Sequence, residues 1–405
     1  MTAPDLKDRL ETLLAETTAS ATDRQTHDLD RKIGSLDQPF VLFGAGNLGR
    51  KALRTLRRIG KEPAAFIDNN PALRNTAIDG VPILSPADAA ARFDARRVGV
   101  ITTIWCGEAT DKMADRIRPL RALGYERIAL FGHLAWRFPD EFLPHYSLDL
   151  PSRVLPHASD IRRAFDLLSD DESREIFVNH IEWRLFLDYD LLPHPSSDEI
   201  YFSDCFTSML DAEILYDIGA YIGDSVSAFL ASKRGGRFGE IHSFEPSPGN
   251  FRKLEQYVAG LGERGKNVFA HRLALGDSTG VIEVEAEHGP ASRVGKGTEV
   301  VPVTTIDDFS ATAAAPTFIK IDIEGFEPQC LQGGRSTIAR SGPIVAVCVY
   351  HAQSHLWSIL LQLHSYYPDY RFRLCPHVAD GWDLVLYAVP EQRLPRLPAV
   401  SSRTV

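Results

Sequence analysis

Two stretches of this chain share one local plan: an apolar strand runs into a glycine turn, and the turn opens a helix. The first is Pro39-Phe-Val-Leu-Phe43, then Gly44-Ala-Gly-Asn-Leu-Gly49, then helical spacing from Arg50 to Ile59. The second is Ile214 to Ile218, then Gly219-Ala-Tyr-Ile-Gly223, then a helix from Asp224 to Ala231. Glycine lets the backbone bend sharply and approach a ligand with no β-carbon in the way. The helix start beyond it offers free backbone N–H groups. Such a turn belongs at the carboxyl end of a strand in a doubly wound sheet, which is where ligands bind.

The alternation continues around both turns. Ala64–Ile67, Val98–Thr103 and Ile128–Phe131 read as strands of the first unit. Glu240–Phe244, Val268–Leu273, Thr317–Ile321, Ile344–Val349 and Leu384–Val389 read as strands of the second, and 281–285 with 300–303 predicts a hairpin. Strands alternating with helices imply a mostly parallel sheet covered on both faces. The expected fold is therefore α/β, with two doubly wound domains that share no detectable sequence repeat. A Rossmann-like unit is expected over 36–135 and a second unit over 213–392. Residues 1–35, with Leu6, Leu10, Leu13 and Leu14 at helical spacing, predict an amphipathic helix for packing or for dimer contact. Residues 136–212 read as a linker and helical lead-in: Pro139, Pro144, Pro151 and Pro156 break the first part, and Asp170–Leu187 has the acidic start of a helix. Residues 393–405 read as a tail.

Bulk properties narrow the partners. The formal net charge of -10 speaks against nucleic acid, since phosphate binding needs a concentrated basic surface. Five cysteines lie far apart without CxxC or zinc spacing, which reads as reduced thiols. No signal-like apolar core and no membrane-length apolar run occurs. The expectation is a cytoplasmic protein with no membrane span, a homodimer being one expected assembly.

The second turn does not follow the dinucleotide fingerprint. Its spacing is Gly-x-x-x-Gly with Tyr221 inside, and Asp217 stands where the strand enters the loop. An acid there suits a cationic ligand better than a pyrophosphate. Glu245 ends the next strand, 22 positions after Gly223, where a carboxylate accepts hydrogen bonds from ribose hydroxyls. From the glycines alone, a tight turn with a surface acid is an equally good reading.

Taken together the motifs resemble the FkbM family of methyltransferases over roughly residues 200–390. Four blocks carry the resemblance: Tyr216-Asp-Ile-Gly-Ala-Tyr-Ile-Gly-Asp-Ser225; Phe244-Glu-Pro-Ser-Pro-Gly-Asn-Phe251; Ala274-Leu-Gly-Asp277 with Val303-Thr-Thr-Ile-Asp307; and Phe318-Ile-Lys-Ile-Asp-Ile-Glu-Gly-Phe-Glu327 with Leu331-Gln-Gly-Gly334. Tyr350-His351 and His355-Leu-Trp357 follow. The resemblance implies a class I fold, a seven-stranded mostly parallel sheet with the last strand reversed, and S-adenosyl-L-methionine as cofactor. It implies that Asp217, Gly219, Ala220 and Gly223 line the methionine part, with Asp224 and Ser225 opening the helix beside it. Glu245 would hold the ribose, Pro246 and Ser247 would flank the adenine, and Leu275 and Gly276 would sit at its edge. Tyr221 departs from the asparagine usual in the family, which leaves the loop conformation in doubt.

Asp322 and Glu324 follow an apolar strand, and Glu327 lies three further on. Carboxylates there can bind an acceptor hydroxyl, take its proton or hold a metal; the plainer reading is a surface acid cluster capping the next helix. Asp322 belongs to both the cofactor and the catalytic set. His351, at a strand end on the same sheet edge, is the first candidate for general base, because imidazole titrates near neutrality. A histidine satisfied by backbone groups is the competing reading. His355 and Trp357 are candidates for shaping the acceptor pocket, and Ser292 and Arg293 for reaching over it. Asp322, Glu324 and His351 also form a candidate set for a divalent metal.

The first turn does fit Gly-x-Gly-x-x-Gly: Gly44, Gly46, Asn47 and Gly49, with Asp68 nineteen positions beyond Gly49. This unit, through Asp79-Gly-Val-Pro-Ile83, resembles Rossmann-like units attached to bacterial sugar-modifying proteins. It is a candidate site for a dinucleotide or nucleotide-sugar, or a docking domain that keeps the turn for structure. The rival functions are a nicotinamide-dependent oxidoreductase or epimerase and a non-catalytic nucleotide-sugar scaffold. No Tyr-x-x-x-Lys pair supports the first. The expected function is methyl transfer from S-adenosylmethionine to a hydroxyl of a small-molecule or saccharide acceptor: a sugar, polysaccharide or natural product.

Overall fold

The computed structural model describes residues 3–105, 112–203, 208–232, 237–284 and 299–394. Six strands form the first sheet: β1 (Phe40–Phe43), β2 (Ala65–Ile67), β3 (Ala77–Ile78), β4 (Val81–Leu84), β5 (Gly99–Thr102) and β6 (Arg127–Ala129). Their order is β3-β4-β2-β1-β5-β6, parallel except for the edge hairpin β3/β4. Every residue of β1 and β5 is buried, as befits central parallel strands covered on both faces.

The second unit supplies β7 (Ile214–Ile218), β8 (Glu240–Phe244), β9 (Val268–His271), β10 (Ala274–Leu275), β11 (Gly280–Val284), β12 (Glu299–Thr304), β13 (Phe318–Ile321), β14 (Ile344–Cys348), β15 (Tyr370–Pro376) and β16 (Leu384–Pro390). Seven of these make one sheet, ordered β15-β16-β14-β13-β7-β8-β9. β16 is antiparallel to both its neighbours, and the other pairings are parallel. The α/β fold with a reversed last strand is thus observed. The hairpin also forms, with Val281 opposite Pro302, but it builds a separate three-stranded sheet with β10. β15 escapes the sequence reading because Arg371 and Arg373 interrupt its apolar residues, as suits an edge strand.

The outer segments depart from expectation. Residues 3–33 form two helices, Ala3–Leu14 and Thr18–Ile33, because Thr17 caps a new start through Ser20 N–H. Leu6, Leu10, Leu13 and Leu14 are buried in the core of the seven-stranded sheet, while Leu29 and Ile33 join the core of the first sheet. Of the two roles expected for the leucine stripe, packing or dimer contact, the structure shows packing against the chain itself. The 136–212 stretch carries the expected helix, which packs rather than only connecting. Its helix Asp171–Phe186, capped by Asp170 on Ser173 N–H, sends Ile176, Phe177, Ile181 and Leu185 into one core and Trp183 into the other. The helix is a wedge packed between the two units. At the other end, Arg393 is anchored rather than starting a free tail, and donates to the buried Glu213 at 2.8 Å. Among the described residues no helix is long and apolar enough to cross a membrane.

Candidate active site

Strand β7 ends in a turn that only glycine permits at Gly219. Its φ is +83°, and a β-carbon there would lie 1.8 Å from the carbonyl oxygen of Asp322. The turn after β7 therefore touches the exit of β13. The N–H groups of Gly219 and Ala220 both donate to the carbonyl of Phe244, which ties the turn to β8. Glu245, next along, accepts from Tyr221 N–H at 3.0 Å and from Ser247 N–H at 2.9 Å. Burial pushes its carboxyl up to about 7, against those hydrogen bonds.

A cavity of about 300 Å³ opens between these elements, lined by Gly219, Tyr221, Asp224, Glu245, Pro246, Ser247, Asn250, Lys320, Asp322, Ile323, Glu324, Tyr350 and Asp383. A narrow apolar slot adjoins it, sharing Gly219, Pro246 and Ile323 and walled by Phe244, Leu275 and Phe326. The structure thus brings Gly219, Asp224, Glu245, Pro246, Ser247, Asp322 and Glu324 to one cavity and Leu275 to its slot. The other predicted cofactor residues stand behind the wall. Ala220 and Ser225 are buried. Gly223 packs on Tyr257, and Gly276 is approached by Gly333.

Asp217 is fully buried, and its partner is one the sequence reading left out. The Lys320 ammonium lies 3.2 Å from Asp217 Oδ1 and donates to the Gly219 carbonyl at 2.6 Å. Burial raises the Asp217 carboxyl, and Lys320 only partly offsets this. Burial opposes the charge on Lys320 as well, but Asp217 and Asp322 outweigh it and hold the ammonium above its usual range. The side chain of Lys320 points beneath the turn because alternate residues of a strand face opposite ways.

Asp322 is held by the Tyr201 hydroxyl at 2.9 Å. Its other oxygen lies 3.4 Å from His351 Nε2, and Glu324 stands 4.0 Å from the same nitrogen. On the far side of the ring, Nδ1 meets Glu327 Oε1 at 2.8 Å. Glu327 also accepts from Ile323 and Gly325 N–H, so it fixes the bend after β13. Burial disfavours charge on both partners. Mutual attraction wins: Glu327 is held down at about 2 and His351 is raised to about 9. Glu327 is fully buried, so the reading as a surface acid cluster fails there. At neutral pH His351 is an imidazolium, a base already carrying its proton, hydrogen-bonded through Nδ1 to a carboxylate rather than to a backbone group, while its buried Nε2 has no hydrogen-bond partner among the described residues.

Among the described residues, the groups close enough to share a cation are Asp322, Glu327 and His351, instead of the expected set with Glu324. His355 and Trp357 are buried in the first turn of helix His355–Tyr366, with Trp357 packed against His157, so they do not line the cavity. Ser292 and Arg293 lie outside the described residues.

The N-terminal turn uses its acid differently. Asp68 accepts from Ala45 N–H through one oxygen and from Asn70 N–H through the other, both at 2.8 Å. Gly49 allows the helix to approach the Gly44 carbonyl, which also accepts from Thr103 Oγ1. Only Gly46 and Asn47 of this motif are exposed. The residues read as a nucleotide site thus account for the geometry of the turn itself.

A solved FkbM methyltransferase from Methylobacillus flagellatus KT superimposes with a TM-score of 0.76 at 22% identity, covering 96% of this chain and 100% of that one, and so shows the same fold. A UDP-D-quinovosamine 4-dehydrogenase from Vibrio fischeri matches 23% of this chain and 75% of its own at 24% identity, with a TM-score of only 0.20. A methyltransferase from Podospora anserina, solved with SAH bound, matches 44% of this chain and 72% of its own at 15% identity, with a TM-score of 0.25. Neither of these two superpositions bears on the whole fold. No curated protein matches the chain in sequence. From Asp217 at the glycine turn through Glu245, Asp322 and His351 into β15, residues 217–374 match the sequence model of the Methyltransferase FkbM domain.

Proposed function

We propose that this protein is an S-adenosylmethionine-dependent methyltransferase acting on a hydroxyl oxygen of a small-molecule or saccharide acceptor. One observation carries the reading: the described lining of the cavity at the glycine turn holds five carboxylates (Asp224, Glu245, Asp322, Glu324 and Asp383) and one ammonium, Lys320, which Asp217 already neutralises. Such a site favours a cation and repels phosphate. The adjoining apolar slot suits a flat base, and Glu245, in the cavity beside the shared Pro246, suits a ribose.

S-adenosylmethionine, when bound, supplies an electrophilic methyl group on a sulfonium. The chain's own work is to align and to move a proton. Asp322 and Glu324 are placed to accept a hydrogen bond from an acceptor hydroxyl. His351, which lies behind Asp322 and outside the cavity lining, takes the proton by way of that carboxylate, and Glu327 keeps its ring oriented and stabilises the imidazolium that results. Because His351 is protonated in the free protein, the base must first be discharged. A cationic ligand in the cavity favours that discharge by like-charge repulsion. A cytoplasmic setting agrees with the buried thiols of Cys330, Cys348 and Cys375, none of which is in a disulfide.

Calorimetric titration with S-adenosylhomocysteine tests the reading. Micromolar binding that is weakened in Glu245→Ala supports it. Absence of binding alongside clear binding of NAD or a nucleotide-sugar would move the function to the N-terminal turn.

A further inference from the structure

Beside His351 the structure gathers aromatic rings from three separate parts of the chain. Trp105 follows β5 of the first sheet, Tyr146 lies in the 136–212 stretch ahead of the wedge helix, and Tyr350 and Trp382 lie in the loops after β14 and before β16. Tyr146 and Trp382 meet edge to face at 4.6 Å, and Trp105 stands edge-on to Trp382 at 5.9 Å. Tyr350 is nearly parallel to Tyr146 at 6.3 Å. The group abuts the proposed base: the His351 ring is 4.1 Å from Tyr350 and 6.1 Å from Tyr146.

These rings differ from ordinary core aromatics. Tyr216 and Phe244 are 0–1% exposed, whereas Trp105, Tyr146 and Trp382 keep accessible surface. Polar groups border them. Tyr350 lines the cofactor cavity and hydrogen-bonds to Asp383, the residue after Trp382. The backbone is also held in costly conformations here: φ is +51° at Tyr146, +45° at Asp383 and +56° at Glu324. Non-glycine residues in the left-handed region cost of order 1–3 kcal/mol each, and such strain gathers at ligand sites.

We propose that Tyr146 and Trp382, backed by Trp105, form the acceptor subsite, and that they take the C–H face of a neutral pyranose-like ring. The proposal rests on the methyltransferase reading. A hydroxylated ring offers one apolar face for an aromatic wall and a rim of O–H donors for Asp383 and Glu324. An acyl chain has no use for those carboxylates, and a nucleotide-sugar brings a diphosphate that they repel. Trp105, Tyr146 and Trp382 all lie outside residues 217–374, so this wall is supplied by parts of the chain beyond the matched domain.

The test is saturation-transfer NMR on the full chain, saturated with S-adenosylhomocysteine, using methyl α-D-glucopyranoside, methyl α-D-mannopyranoside and methyl α-L-rhamnopyranoside as probes and UDP-glucose as the anionic comparator. Transfer to ring C–H protons of at least one glycoside is expected, exceeding that to UDP-glucose. Trp382→Ala and Tyr146→Ala weaken glycoside binding roughly three- to ten-fold, the size of one aromatic contact, with S-adenosylhomocysteine affinity unchanged. Trp382→Leu replaces the alanine variant should that one fail to fold. Equal transfer in wild type and variants, or none to any glycoside, overturns the subsite while intact S-adenosylhomocysteine binding leaves the methyltransferase reading standing. Failure of S-adenosylhomocysteine to bind the wild type overturns that reading and this subsite with it.

Discussion

Glu327 Oε1 accepts from His351 Nδ1 at 2.8 Å, in a pair 24 residues apart in sequence and buried on both sides. Removing the charge by Glu327→Gln withdraws the first carboxylate that raises the imidazole. His351 is then expected to titrate near or below its ordinary 6.5 instead of about 9. Side-chain NMR of the histidine across pH reads this directly. Folding stability should fall by about 3 kcal/mol in urea denaturation, the scale of breaking a buried pair.

The same pair sets a pH window. His351 has its folded value raised from 6.5 to about 9, so its stabilising share is complete below 6.5 and is lost as pH rises through 9. Glu327 is lowered from 4.5 to about 2, so its share is present above 4.5 and is lost as pH falls through 2. The contribution is therefore greatest between these limits. Melting temperature measured at pH 6 and pH 9 should drop in wild type and drop less in Glu327→Gln. If His351 is the base, as proposed, turnover should instead climb toward pH 9.

Glu245 is raised to about 7 by burial, and only its ionised form can accept from both hydroxyls of the proposed ribose. Affinity for S-adenosylhomocysteine is expected to strengthen as pH rises through 7, with proton release on binding. Calorimetry in buffers of different ionisation heat measures that release. Glu245→Ala should cost about 2–3 kcal/mol, the scale of a charge-assisted hydrogen bond, and should abolish the pH dependence.

Gly219→Ala forces a β-carbon to within 1.8 Å of the Asp322 carbonyl at a φ of +83°. The strand exits must separate, with a loss of about 3 kcal/mol or more. Both thermal stability and S-adenosylhomocysteine binding should suffer, and a variant that keeps both refutes the close approach.

Asp68→Ala removes the acceptor for Ala45 and Asn70 N–H. The expected result is a stability loss of about 1–2 kcal/mol with S-adenosylhomocysteine affinity unchanged. A loss of NAD or nucleotide-sugar binding in this variant would show the N-terminal turn to be a ligand site after all.

The sequence alone determined the parts of this protein that are local. Strand, glycine turn and helix follow one another without a break at Ile214–Ala231, so Asp217, Gly219 and the Glu245 strand end are visible as a pattern, and so is the alternation that makes both sheets. Helix Asp171–Phe186 was legible at its cap, because Asp170 bonds within its own turn. What only the tertiary structure decided is which distant groups meet. Lys320 reads as one more residue of a buried strand until β13 is laid beside β7, with Lys320 opposite Asp217. The state of His351 depends on a carboxylate 24 residues away that the bend after β13 turns inward. The leucines of the first helix show an apolar stripe that could meet a second copy or the chain itself, and only the wedge helix that covers them decides which. Trp105, Tyr146 and Trp382 have no shared spacing that a pattern could reveal, and only the packing of three chain segments sets them beside one ring. Periodicity records which face of an element is apolar; the partner of that face, and the charge a buried group then carries, are fixed by the energy of removing each from water, which exists only once the chain has folded.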